Sequence, residues 1–135
     1  MALNGPGIKK SFKAGEDLST HQYKFVYLSA ADTVSLVTAT TDVAIGVLQN
    51  TPTLGQDADV MIMGLSKVVA GDDLSVGELV YSDDGTATKN TLGGATHDRQ
   101  WPIYGKVTLA AAASDNYATI AVNCATPKLF ENALA

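Results

Sequence analysis

A lone cysteine, Cys124, rules out an intrachain disulfide, and the chain has only two histidines, His21 and His97. One Cys and two distant His cannot make a zinc set. Cysteine usage therefore carries no sign of secretion. Charge is scarce too: 17% of residues are charged, and only nine are Lys or Arg. A phosphate backbone needs clustered cations, so a net charge of −5 excludes nucleic acid as the expected partner. No apolar run reaches the ~18 residues of a membrane-spanning helix, and no membrane partner is expected. The first fifteen residues lack an apolar signal core, so the expectation is that the protein stays, at least at first, in the cytoplasm in which it is made.

What is present is glycine, valine and threonine in a 135-residue chain that is 46% hydrophobic. That composition is globular, and its size is that of one domain able to fold without disulfide or metal. Frequent Gly with β-branched residues points to short strands and tight turns.

The chain also repeats itself. Ala14-Gly15-Glu16-Asp17-Leu18-Ser19 recurs 56 positions later as Ala70-Gly71-Asp72-Asp73-Leu74-Ser75. Phe25-Val26-Tyr27 matches Leu79-Val80-Tyr81, and Ile45-Gly46 matches Tyr104-Gly105. Ala58-Asp59-Val60-Met61-Ile62 matches Ala118-Thr119-Ile120-Ala121-Val122. The widening offset assigns an insertion, Thr91–Gln100, to the second copy.

Each half reads as β. Asp83-Asp84-Gly85 is a hairpin turn leading into Thr86-Ala87-Thr88. Gly46, inside the strand pattern Ile45-Gly46-Val47-Leu48, marks a bulge or a close backbone approach. Val60-Met61-Ile62-Met63 fits a strand covered on both sides, and Lys106-Val107-Thr108-Leu109 alternates as a half-exposed strand does. Ala110–Ala113 could form one helical turn but is cut off by Ser114-Asp115-Asn116 and reads as loop. The expected fold is all-β: a small barrel or a β-tulip or sandwich-like module from two pseudo-repeated halves, with an extended N-terminal arm. The expected division is an arm over 1–13, one β domain over 14–126 with halves of about 14–69 and 70–126, and a tail over 127–135.

That arm holds Lys9, Lys10 and Lys13 and no acid, which leaves −8 for the remainder. A basic arm on an acidic body suits a segment lying on a neighbouring surface, or else a solvated leader. Phe12 would be its apolar anchor or a cover for its own barrel. Lys9, Lys10, Phe12 and Lys13 are the candidate contact residues, and deleting 1–13 is expected to spare the fold.

Catalytic signatures are absent. There is no Gly-x-Ser-x-Gly elbow and no phosphate-cradling glycine loop. His97, beside Asp98 and Arg99, reads more simply as an exposed loop residue than as a catalytic base. The acid pairs Glu16-Asp17, Asp72-Asp73 and Asp83-Asp84 lack the alternating spacing of a calcium loop, and turn formation explains them. Trp101 either caps a barrel mouth or stacks a ligand. No enzyme activity, metal or cofactor is expected.

The series Gly46-Val47, Gly55-Gln56, Val60, Gly64-Leu65-Ser66-Lys67-Val68, Gly77-Glu78-Leu79-Val80-Tyr81, Asp84-Gly85 and Gly105-Lys106-Val107 resembles the capsid cement, or head decoration, proteins of tailed bacteriophages. The resemblance covers roughly residues 14–123, and it rests on turns and strand edges. It implies β-rich homotrimers on the outer surface of an expanded head, clamping the major capsid protein against internal pressure. Two other readings stand beside it: a tail or baseplate adaptor or glycan-binding barrel, and an enzyme of the β-clip type, which Gly71-Asp72-Asp73-Leu74 and Gly77-Glu78-Leu79-Val80 also resemble.

Overall fold

A computed structural model describes residues 5–39, 42–89, 102–110, 116–125 and 128–129. The insertion Thr91–Gln100 with His97, the Trp101 side chain, Ala111–Asp115 and most of the tail lie outside the described residues.

All regular structure among the described residues is β. The strands are β1 (Gly7–Ala14), β2 (Phe25–Ala30), β3 (Thr33–Leu36), β4 (Ala44–Leu48), β5 (Asp57–Val69), β6 (Leu79–Asp83), β7 (Thr86–Lys89), β8 (Pro102–Ile103), β9 (Gly105–Leu109), β10 (Tyr117–Asn123) and β11 (Lys128–Leu129). Nine of them form one sheet in the order β1-β3-β2-β4-β5-β10-β9-β6-β7, and an additional β1–β5 pairing joins its first strand to its middle. That pairing closes β1, β3, β2, β4 and β5 into a five-stranded barrel. The short β8 and β11 pair separately.

The duplicated sequence becomes duplicated topology. β1 lies antiparallel to β5 and ends parallel to β3 at Ala14–Val34. In the same way β5 lies antiparallel to β10 and runs into a parallel bridge at Ala70–Ala87, beside β7. The C-terminal part of β5 thus does for β10, β9, β6 and β7 what β1 does for the first circuit. β5 belongs to both halves.

Hydrogen bonds repeat with the strands. Gly15 N–H donates to the Val34 carbonyl at 2.8 Å, and Gly71 N–H to the Ala87 carbonyl at 2.8 Å. Tyr23 N–H donates to Leu48 O at 2.7 Å, as Gly77 N–H does to Val107 O at 2.8 Å. Gly46 and Gly105 share a cause: a Cβ on Gly46 would strike the Met61 carbonyl, and one on Gly105 would lie 2.5 Å from the Ala121 carbonyl. The Asp84-Gly85 turn has φ of 51° and 84°, the left-handed pair of a two-residue hairpin closed by Asp83–Thr86.

Alternation sends side chains into two cores. Val26 and Leu48 face the barrel interior with Phe12, Leu18, Val34 and Val60. Their neighbours Phe25 and Val47 face the other way, into a core with Leu74, Val80, Val107 and Ile120. The wall formed by β2 and β4 is therefore covered on both sides. Leu18 and Leu74, matched by the repeat, are both buried, one in each core. Within β5, Val60 and Met61 are buried as expected, whereas Met63 is exposed because there the strand passes out from between the cores.

Tyr104 bolts the halves together. Its ring lies 5.3 Å from that of Phe25, and its hydroxyl accepts from Ala44 N–H at 2.9 Å and donates to the Asp42 carbonyl at 3.1 Å. Burial pushes the phenol up to about 12 from its ordinary 10. A raised acid pKa in the fold means stability present below the unfolded pKa and lost as pH climbs through the folded one. Between pH 10 and 12 the protein should lose stability, and Tyr104→Phe should lose less over that range while starting about 1–2 kcal/mol lower at pH 7. Urea titrations at pH 7, 10 and 11.5 check it, with parallel pH dependences as the contrary result.

Candidate functional site

The N-terminal candidates fall on β1 and its immediate surroundings. From Gly7 onward the segment is a strand of the body and not a projection from it. Phe12 is 7% exposed and belongs to the barrel core. It covers its own barrel, because alternation along β1 turns Phe12 and Ala14 inward. Lys10 bends over the Phe12 ring, its Nζ 4.1 Å from the centroid, and pairs with Asp32 at 3.2 Å. Both groups are well exposed, so that pair contributes little, about 0–1 kcal/mol.

Lys9, Ser11 and Lys13 point outward, and the acids of β5 stand opposite them. Ser11 Oγ is 2.8 Å from an Asp59 oxygen, and Lys13 sits in register with Asp57. The basic segment therefore lies on its own acidic strand. A local reading of charge could not show this, since Asp57 and Asp59 are more than forty residues away in sequence. Of the four candidates, Lys9 faces Met61 in register and has no acid opposite.

The acid pairs serve turns. The Ser19 side chain and, at 3.0 Å, the Ser19 N–H both hydrogen-bond the Asp17 carboxylate and hold its pKa below the ordinary value. Asp72 accepts from Asp73 N–H at 3.0 Å and pairs loosely with Lys89 at 4.0 Å. Glu78 accepts from Ser75 N–H at 2.7 Å. Among the described residues no three His, Cys, Asp or Glu gather as a metal site would require. Cys124 is buried, and burial drives its thiol pKa up, so at neutral pH it stays protonated and is no nucleophile.

A second feature was not apparent from single residues. The outer surface of the second half carries a shallow groove of about 250 Å³ beside β9 and β10, lined by Leu79, Ile103, Tyr104, Lys106, Ala121 and Asn123. Near it, Ile8 is 61% and Met63 38% exposed, and the two are cross-strand partners. Finding this surface needs the register of five strands, which sequence spacing alone does not supply.

No protein-family model matches the chain, and no curated protein matches it. Solved structures do. The N base of head fiber gp8.5 in bacteriophage phi29 superposes with a TM-score of 0.64 at 19% identity, covering 92% of this chain and 98% of that one. A chain from the capsid of Myoviridae phage XM1 superposes with a TM-score of 0.55 at 14% identity, covering 91% of this chain and 88% of that one. At such identities the likeness establishes a shared fold.

Proposed function

We propose that the chain is a structural protein of a bacteriophage head, a decoration or cement protein on the outer surface of the shell, and not an enzyme. The observation that carries this reading is the fold shared with a head-fiber base and a capsid chain over about nine-tenths of its length. It agrees with the turn and strand-edge motifs that resemble the cement proteins.

In this reading the partner is the major capsid protein. Three copies sit together on the shell, and the bound protein holds neighbouring capsid subunits against internal pressure. The acidic balance of the chain suits a protein that does not engage DNA, with a net charge of −5. The likeness to the base of a head fiber favours a second reading, in which the module is a virion base for a further appendage.

Purified protein added to expanded heads that lack it should co-sediment with them and raise the temperature at which they release DNA. Binding without any change in release temperature would favour the base reading. Absence of binding would overturn both.

A further inference from the structure

We infer that the three lysines of β1 guard an open strand edge, keeping one copy of this chain from pairing its β1 with an extended strand of another copy. That role belongs to the free protein, before it meets any shell.

β1 lies along β5 from Gly7 to Lys13 but meets β3 only at Lys13 and Ala14. Among the described residues no other strand pairs with it, and Gly7 to Ser11 are exposed. Hydrogen-bond directions show which groups this leaves. Ala14 N–H donates to the Gln56 carbonyl at 2.9 Å on the β5 side, whereas Lys13 N–H donates away from β5, to the Asp32 carbonyl at 2.8 Å. Alternation points the backbone groups of Ser11 and Lys9 the same way as those of Lys13, out beyond the Asp32 turn. Such an edge is a template for another strand.

The duplication supplies an internal comparison. With Ala14 matched to Ala70, Lys9, Lys10 and Lys13 correspond to Leu65, Ser66 and Val69 at the end of β5. There the edge facing away from β10 is covered by the chain itself. Gly5 N–H donates to the Leu65 carbonyl at 3.0 Å, Leu65 N–H to the Pro6 carbonyl at 3.2 Å, and Val69 N–H to the Tyr23 carbonyl at 2.9 Å. The covered copy carries one lysine over this stretch, Lys67, at the position of Ser11; the open copy carries three. Phe12 and its match Val68 are both buried, so the two segments are compared in phase.

The open edge has further obstacles. Lys10 turns across it, with Nζ 3.4 Å from the Ser11 carbonyl and 3.2 Å from Asp32, so an incoming strand must displace that side chain. Pro6 precedes the strand, and the register with β5 shifts between Ile8 and Lys9. Lysine, proline and bulges are means by which strand edges are kept from pairing. Two copies meeting at this edge would also bring the lysines of both into one ladder, where like charges oppose pairing.

The test compares the purified full chain with Lys9→Thr/Lys10→Thr/Lys13→Thr by sedimentation at matched concentrations. No heads are present, so the outcome is separate from the head-protein reading. Removing three positive charges takes the net charge from −5 to −8, which by general repulsion favours smaller species. A guarded edge predicts the reverse: a mean mass at least about twice that of wild type, with the amides at positions 9 and 11 newly protected from hydrogen exchange. Lys9→Arg/Lys10→Arg/Lys13→Arg keeps the charge and should sediment as wild type does. Thermal melts establish that the variants are folded. Should the threonine variant misfold, Lys9→Thr/Lys13→Thr, which leaves Lys10 and its contacts in place, decides by the same two readings. A folded threonine variant of wild-type size overturns the inference. So does a larger species whose amides at positions 9 and 11 exchange as in wild type, or an arginine variant that grows as the threonine variant does.

Discussion

Gly64→Val is expected to abolish cooperative folding. Gly64 has φ of 133°, which side chains rarely adopt, and a Cβ there would strike the Gly7 Cα and lie 2.5 Å from the Pro6 carbonyl. Both obstacles are backbone, so no rotamer change relieves them. The position matters because β5 serves both halves. Just before Gly64 it pairs with β4 and β1, and from Met63 onward it pairs with β10. Gly7 and Gly64 are themselves cross-strand partners, so the strands cross where neither has a side chain. A combined strain and clash above about 4 kcal/mol is a large part of the stability of a domain this size. Gly55→Ala is the matched control: φ is 83°, yet nothing lies within 4 Å of the added Cβ. It should cost only about 1–2 kcal/mol. Thermal unfolding by circular dichroism separates them, and a Gly64→Val melt near that of Gly55→Ala would contradict the crossing argument.

Removing residues 1–13 should open the barrel. The deletion takes the strand that pairs with β5 from Asp57 to Gly64 and that closes the circuit against β3. It also removes Phe12 from the core, where loss of a buried phenylalanine costs about 3–5 kcal/mol by itself. Facing edges of β3 and β5 would then be left unpaired, a template for aggregation. The expected product is insoluble or melts at least about 15 °C lower with a broadened transition. A truncated protein that melts like the full chain yet no longer binds heads would restore the role of a separate arm.

The contrast between these two segments says what could be read from sequence. The repeat was legible because its anchors are backbone requirements: Gly46 and Gly105 each lie against a neighbouring carbonyl, and Gly15 and Gly71 each start the same hydrogen bond. Such constraints leave the same residue in both copies. The strand nature of β1 was harder to see, because Lys10 interrupts the polar and apolar alternation. Its charge partners, Asp32, Asp57 and Asp59, arrive only through folding. Phe12 announced an apolar contact, but sequence could not say whether that contact was internal. The groove beside β9 and β10 was least legible of all, because it draws single residues such as Leu79, Ile103, Lys106 and Ala121 from β6, β8, β9 and β10.

Electron cryomicroscopy of expanded heads, with and without the added protein, tests the central claim most directly. The account predicts additional density on the outer surface of the shell, shaped like the two-part β module and repeated with the lattice. Identical maps, or density confined to the tail or the interior, would contradict it.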